Sequence, residues 1–277
     1  MTSSHLSEPE LTALTKTAQQ VRVKTIKILT EAGSGHPGGS LGMADIFTAL
    51  YFKLLNHSPD NPEWEDRDYL LLSNGHICPV LYATLAQAGY FPQEKLQTLR
   101  KINSDLQGHP KLQPRLGIEI SSGPLGQGLS QACGLALAFK KDNKPNHIFC
   151  LLSDGEQQEG QTWEAYMLAS KYQLNNITAI IDRNHIQIGG DTEQVMPLEN
   201  LKDKIEAFGW SVLEINGHDF SEIVMAVNKA KDDKLPFAII ANTVLGKGVS
   251  FMENNAQWHG KAPNKEQANQ AIKELLQ

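Results

Sequence analysis

Two short segments place oxygen-bearing side chains directly after apolar runs that predict buried strands. Asp154 and Gly155 follow the run that ends at Leu152, and Asn184 follows the run that ends at Ile181. Neighbouring strands lie about 4.8 Å apart, so two such strands would let both side chains reach one ion. Carboxylate and amide oxygens suit Mg²⁺ or Ca²⁺, and Gly155 lets a phosphate approach the backbone. Together the segments predict a cation and phosphate site, although either one alone is more often a turn or a strand cap.

Four of the nine histidines lie in loops rich in glycine or proline. They are His36 within 34–39, His76 within 73–76, His109 within 108–110, and His259 within 258–260. Histidine titrates near neutral pH, so it suits proton transfer and hydrogen bonding to sugar hydroxyls or phosphates. One such histidine is usually a solvated or hydrogen-bonded residue, but four in one chain favour a site.

Strands and helices alternate along the chain and would position these loops. Short apolar runs predict buried strands at 69–72, 147–152, 177–181, 211–215 and 237–241. Periodic segments predict helices from a Ser7–Glu10 capping box to Gly33, and at about 43–55, 78–88, 125–141, 161–172, 201–208 and 221–231, with a terminal helix after His259. This alternation predicts an α/β fold, a mostly parallel sheet flanked by helices on both faces, in a single domain spanning residues 1–277. Ligands usually bind at the carboxyl ends of such strands, where the unusual loops fall.

Composition excludes several other classes of protein. The 277 residues carry a formal net charge of −6 without a block of like charge, which argues against a nucleic-acid-binding surface. The apolar runs are too short to span a membrane, and the N-terminus does not have the pattern of a secretory signal. Cys78, Cys133 and Cys150 are far apart and odd in number. We expect them to be reduced core residues of a cytoplasmic protein.

Taken together, these segments closely resemble transketolases. The matches are Gly-His-Pro-Gly at 35–38, Leu-Gly-Met-Ala at 41–44, Ser-Asn-Gly-His at 73–76, Gly-Pro-Leu-Gly-Gln-Gly at 123–128, Asp-Gly at 154–155, Gln-Glu-Gly at 158–160, and Asp182 to Asn184. They follow the family order from about residue 20 to 260. One departure is Ser153, where the family usually has glycine before the aspartate. The segments fit neither a dinucleotide fingerprint nor a Walker A loop.

The resemblance implies a thiamine-diphosphate-binding fold and a role for each site residue. Asp154, Asn184 and the backbone carbonyl of Ile186 would hold Mg²⁺ (or Ca²⁺), with Gly155 and His76 beside the diphosphate. The other roles fall to His36 and His259 flanking the reacting carbon and the cofactor, His109 binding substrate hydroxyls, Gly123, Pro124 and Leu125 lining the cofactor, and Glu159 and Glu164 at an interface between subunits. Acidic residues early in a helix are also favoured by its dipole alone.

Only the first half of a full-length transketolase resembles this chain. The family's pyrimidine-binding domain, which carries the glutamate that activates the cofactor, and its C-terminal domain have no counterpart here. The resemblance therefore implies an N-terminal subunit that transfers a two-carbon ketol unit from a ketose phosphate to an aldose phosphate. A separate C-terminal subunit would complete a heterotetramer with two copies of each chain, and the pentose phosphate pathway would be its setting. Leu129, Leu135 and Leu137 could supply apolar area for that assembly, or they could face this chain's own core.

Three alternatives to this function stay open. They are a deoxyxylulose-phosphate-synthase-like carboligase, a transketolase for a specialised sugar, and a non-catalytic cofactor-binding subunit. The Gly-His-Pro-Gly motif at 35–38 and His259 favour a transketolase over the other carboligase. Intact metal, cofactor and histidine motifs weigh against a subunit without catalytic function.

Overall fold

A five-stranded parallel sheet forms the centre of the molecule. The computed structural model describes residues 6–277. The sheet strands are β1 (Tyr69–Leu72), β2 (Ile148–Ser153), β3 (Ile177–Arg183), β6 (Ser211–Asn216) and β7 (Phe237–Asn242), and a small hairpin adds β4 (Ile186–Gln187) and β5 (Gly190–Asp191). The spatial order is β1-β2-β3-β7-β6, with every neighbouring pair parallel. All five strands expected from the apolar runs are present.

The helices cover both faces of this sheet. They are α1 (Glu8–Ala32), α2 (Pro37–Gly42), α3 (Ala44–Ala49), α4 (Cys78–Ala88), α5 (Gly128–Lys141), α6 (Gly160–Lys171), α7 (Thr192–Val195), α8 (Leu201–Ala207), α9 (Phe220–Asp232) and α10 (Lys265–Leu275). Alternate strand residues point to opposite faces. Phe149 and Leu151 therefore pack with α1, α3, α4 and α9, whereas Cys150 and Leu152 pack with α5, α6 and α8. The predicted α/β class is confirmed.

The register of the central strands brings their ends to one edge. β2 and β3 are buried along their whole lengths, as expected for strands covered on both faces. Ser153 pairs with Asp182 at the last position of their ladder. Asp154 and Arg183, the residues that follow this pair, therefore lie side by side at the edge of the sheet. Asn184 is the next residue after Arg183.

The apolar helix predicted over 43–55 is divided into shorter pieces. α2 begins at Pro37, inside the segment predicted as a loop, because proline at a first helical turn already has a helical φ. The chain turns at Met43, and after α3 it continues as a π-helical turn, Leu50–Leu54. The chain packs closely against a distant loop beside this turn: a Cβ on Gly42 would lie 3.0 Å from the Val244 carbonyl oxygen. The helix predicted from residue 125 likewise begins only at Gly128.

Other predictions about single residues are confirmed or corrected. The Glu10 carboxylate accepts hydrogen bonds from the Ser7 backbone N–H (2.9 Å) and hydroxyl (2.7 Å), which caps α1 as predicted. All three cysteines are buried, and none of them forms a disulfide bond. Leu129 is fully buried in this chain's own core, so it does not supply area for an interface. None of the helices within residues 6–277 has the length and apolarity needed to cross a membrane.

Candidate active site

A cleft of about 420 Å³ opens at the carboxyl ends of β1, β2 and β3. That volume falls within the usual range for small-molecule and cofactor sites. The predicted site residues that line it are His36, His76, His109, Gly123, Leu125, Asp154, Gly155, Glu159, Asn184, Ile186 and His259. Pro124 is an exposed residue between two lining residues, and Glu164, predicted at an interface and not in the cleft, lies on the exposed surface of α6. The structure therefore brings together all but two of the residues chosen from the sequence.

Three histidines form a tight cluster on one wall of the cleft. The ring centroids of His36 and His76 are 5.1 Å apart, and His259 lies 5.4 Å from each of them. His36 precedes α2, and His76 lies in a 3₁₀ turn, Gly75–Ile77, directly after β1. His259 follows the turn Ala256–Trp258. Three segments that are distant in sequence thus meet at one point.

Burial keeps these imidazoles neutral at neutral pH. It lowers the pKa of His76 to about 3, and the neighbouring His36, His259 and His109 lower it further. Burial likewise lowers the pKa of His36 to about 4, with added repulsion from His259, Arg100 and His109. The pKa values of His259 and His109 are lowered by burial as well. A neutral imidazole can accept one hydrogen bond and donate another, so the cluster can receive or deliver a proton.

The Asp154–Asn184 pair lines the other half of the cleft, away from the histidine cluster. The Asp154 carboxylate is almost fully buried and accepts hydrogen bonds from the N–H groups of Gly155 (2.7 Å) and His185 (2.8 Å). Burial raises the pKa of Asp154, whereas the Arg183 guanidinium, 3.2 Å away, and the two N–H donors oppose that rise. The Asn184 amide oxygen accepts from the Ile186 N–H at 2.9 Å. Both side chains are thus fixed before any ligand arrives.

The charges and oxygens of this half suit a divalent cation. Within residues 6–277, no group of three or more His, Cys, Asp or Glu side chains is arranged to hold a metal. The predicted donor set instead combines one carboxylate with an amide and a backbone oxygen, which suits Mg²⁺ when phosphate oxygens and water complete its shell. Among residues 6–277, several buried polar atoms have no hydrogen-bond partner: Nδ1 of the lining residue His36, both amide atoms of Asn74, two positions before His76, and the hydroxyl of Ser122, next to Gly123. Such atoms normally find a partner, so a polar cofactor fits this place.

Ser153, the departure from the family pattern, is accommodated without strain. It is the last residue of β2 and does not have a positive φ. The chain turns one residue later, at Asp154, whose φ and ψ are −67° and −46°. A turn of this kind does not require glycine at position 153.

Sequence reasoning missed Glu156, which joins three loops of the site. Its buried carboxylate accepts hydrogen bonds from the Ser73 hydroxyl, from the Gly126 N–H at 2.7 Å and from the Ser153 N–H at 3.1 Å. Burial raises its pKa, and these donors oppose that rise. The loop after β1, the glycine-rich loop at 123–128 and the loop after β2 therefore share one anchor. An acidic residue in a turn gives no sequence signal for such a role.

The glycine-rich loop is held close to α6. Gly126 has a φ of +81°, and a Cβ there would lie 2.9 Å from the Glu159 side chain. The Gln161 side-chain amide donates to the Leu125 carbonyl at 2.9 Å. The loop therefore needs glycine at 126, and Gly123 and Leu125 are held at the wall of the cleft.

Comparison with known proteins identifies the family. Residues 14–276 match the model of the transketolase thiamine diphosphate binding domain, so the chain belongs to the transketolase family. It is 44% identical to a 6-deoxy-6-sulfo-D-fructose transketolase subunit of Clostridium sp. (strain MSTE9), over 93% of this chain and 94% of that protein. It is 41% identical to one of the apulose-4-phosphate transketolase subunits of Phocaeicola vulgatus, over 93% of this chain and 92% of that protein.

Solved structures agree with this assignment. The transketolase of Campylobacter jejuni superposes with a TM-score of 0.88 at 37% identity, covering 98% of this chain and 43% of that one. The chain thus spans less than half of that transketolase, but nearly all of the two short subunits. The predicted family and fold are confirmed, and the match to short subunits supports the prediction of a divided transketolase.

Proposed function

We propose that this chain provides the cation- and diphosphate-binding half of a thiamine-diphosphate-dependent transketolase. The observation that carries the proposal is the meeting, in one cleft, of a neutral histidine cluster and a preorganised Asp154–Asn184 pair. The pair is suited to a cation and a phosphate, and the cluster to proton transfer at a substrate oxygen. An intact site of this kind favours a catalytic subunit over one that only binds the cofactor.

In this proposal the cleft holds the cofactor by its diphosphate end. Asp154, Asn184 and the Ile186 carbonyl would hold Mg²⁺, for which Ca²⁺ could substitute, and Gly155 and His76 would contact the diphosphate. Gly123 and Leu125, which line the cleft on either side of Pro124, would contact the cofactor. When bound, thiamine diphosphate supplies the carbanion chemistry that cleaves and forms carbon–carbon bonds next to a carbonyl.

The histidines act on the sugar. His36 and His259 lie 5.4 Å apart and flank the position of the reacting carbon, where they accept and return the hydroxyl proton and stabilise charge on the carbonyl oxygen. His109 lines the cleft, is exposed, and binds substrate hydroxyls. Because His36 and His259 are neutral near pH 7, each can serve as a base without first losing a proton.

The substrate is a ketose that carries an anionic end group. The two short relatives are named for a phosphorylated and a sulfonated sugar, so a specialised sugar is as well supported as the sugars of the pentose phosphate pathway. Arg100 adds a cation near the lining residue His109: its Nη2 donates to the Gly108 carbonyl at 3.3 Å, and its charge lowers the pKa values of both His36 and His109 in addition to burial. A cation at this point favours an anionic substrate over a neutral sugar.

A second polypeptide supplies the pyrimidine-binding half, and two copies of each chain assemble. The two short relatives are named as subunits, which supports a partner. On the surface of α6 and just after it, Met167 (52% exposed), Leu168 (39%) and Tyr172 (40%) lie close in sequence to Glu164. An apolar surface of this kind beside an acidic residue suits a contact at which Glu159 and Glu164 meet a neighbouring chain.

Reconstitution tests the proposal. The purified chain is assayed for ketol transfer alone and with a candidate pyrimidine-binding polypeptide, using phosphorylated and sulfonated ketoses as donors, while light scattering reports the mass. We expect transfer only in the mixture, with the mass of a heterotetramer. Substantial transfer by the isolated chain would refute the divided enzyme, and activity with pyruvate as the donor would favour a deoxyxylulose-phosphate-synthase-like reaction.

A further inference from the structure

Arg183 is a buried cation that the proposed function does not use. It ends β3, next to the metal-ligand candidate Asn184, and its side chain is 2% exposed. A buried guanidinium is costly unless its N–H groups meet anionic partners. Here the partners are three carboxylates, one from the turn after β2 and two from the stretch 193–199.

These contacts join the cation site to a distant stretch of chain. Nη1 of Arg183 lies 3.2 Å from the Asp154 carboxylate, and Nη2 lies 2.5 Å from Glu193 and 2.7 Å from Glu199. Glu193 in turn accepts hydrogen bonds from the backbone N–H groups of Leu198 (3.0 Å) and Glu199 (3.3 Å). We call residues 193–199 the tethered segment. One guanidinium thus fixes both a proposed metal ligand and this segment.

The formal charges of Arg183 and its three partners suit the binding of a divalent cation. Three carboxylates around one guanidinium leave a formal charge of −2, the charge that a divalent cation neutralises. A second cation close to Arg183 would be repelled by it unless Glu193 and Glu199 screened the guanidinium. Because Arg183 also pairs with the two glutamates, its charge is not balanced by Asp154 alone. The Asp154 carboxylate therefore remains able to bind a metal.

We propose that Arg183 is a positioning residue that couples cation binding at Asp154 to the order of the tethered segment, through Glu193 and Glu199. The cation part of this inference rests on the proposed function, because it takes Asp154 to be a metal ligand. Coupling between sites is reciprocal. Neutralising a glutamate on the tethered segment therefore weakens cation binding at Asp154, and cation binding in turn stabilises the segment.

Glu199→Gln is the variant that tests this coupling most cleanly. The Glu199 side chain is 56% exposed, and its carboxylate pairs with Arg183. Unlike the Glu193 carboxylate, it does not accept hydrogen bonds from the backbone of the tethered segment. Glu199→Asp keeps the charge, and Glu206→Gln, on the exposed face of α8, is a matched control for the loss of one carboxylate. Hydrogen exchange at the Leu198 and Glu199 amides is measured in the metal-free chain and with Mg²⁺. Mg²⁺ affinity is measured by calorimetry in the presence of thiamine diphosphate.

We expect Glu199→Gln to speed exchange at both amides and to weaken Mg²⁺ binding about fivefold or more, the lower range of measured couplings between sites. Glu199→Asp should recover part of both effects, and Glu206→Gln should produce neither. Wild-type exchange and affinity in Glu199→Gln would overturn the inference, and faster exchange with unchanged Mg²⁺ affinity would overturn the coupling. A wild-type chain that takes up no Mg²⁺ would instead contradict the proposed cation site, and exchange in the metal-free variants would still decide whether Arg183 holds the segment.

Discussion

Replacing Glu156 tests whether one buried carboxylate holds the three loops of the site together. In Glu156→Ala the Ser73 hydroxyl and the N–H groups of Gly126 and Ser153 lose their shared acceptor in a region closed to water. A buried donor left without a partner costs about 1–3 kcal/mol, so three of them predict a loss of roughly 3–6 kcal/mol once relief from burying a charge is allowed for. Glu156→Gln keeps the volume and one oxygen acceptor, and should lose about half as much.

The assay is urea unfolding of the ligand-free chain, followed by circular dichroism. The free energy of unfolding is extrapolated to water, and an unchanged slope against urea shows that the same surface is exposed. Glu206→Ala serves as the control, because an exposed substitution usually changes stability by no more than about 0.5 kcal/mol. A loss below about 1 kcal/mol in Glu156→Ala would refute the anchor, since even one unsatisfied donor costs that much. If Glu156→Ala does not fold, Glu156→Gln gives the measurement.

Two further predictions concern the histidine cluster. His36→Ala and His259→Ala should each lower turnover of the reconstituted enzyme by more than about tenfold, because a positioned acid–base group usually contributes about 10²–10⁴. Cofactor affinity should stay largely unchanged, and full turnover in either variant would assign that histidine a structural role. The ligand-free chain should also lose stability as the pH falls from about 6.5 towards 4. The pKa values of His36 and His76 are lowered to about 4 and 3 in the folded chain. In this pH range the unfolded chain therefore binds protons that the folded chain excludes. The slope is at most about 1.4 kcal/mol per pH unit for each histidine. Burial raises the pKa of Asp182 to about 7, and this group changes stability in the opposite direction. Urea unfolding of His76→Asn and of wild type should therefore be compared across this pH range. Equal pH dependence of the two proteins would contradict the lowered pKa of His76.

The sequence predicted the sheet well because burial on both faces leaves a simple pattern. β2 and β3 are continuous apolar runs, and the polar residues that end them mark the edge of the sheet. It predicted the region from Pro37 to Leu54 less well. There the chain packs against a segment that is distant in sequence: Gly42, beside the turn at Met43, lies against Val244, more than 200 residues away along the chain.

The same distinction separates the site residues that were found from those that were missed. His36, His76 and Asp154 lie in unusual loops, so their residue types and neighbours reveal them. Glu156 and Arg183 are ordinary polar residues until the fold surrounds them with partners from other segments of the chain. Burial is what gives them their roles, and the chain order alone does not show it. Pro124 shows the converse, because a motif position need not face the cleft.

Calorimetric titration with thiamine diphosphate and Mg²⁺ tests the central claim most directly. Wild-type protein should bind the cofactor only when Mg²⁺ is present, because Asp154 and Asn184 would hold the cation that neutralises the diphosphate. Asp154→Ala removes the single carboxylate of the proposed donor set and should abolish measurable Mg²⁺-dependent binding, whereas the exposed Asp203→Ala should bind like wild type. Unchanged cofactor affinity in Asp154→Ala would contradict the proposed cation site.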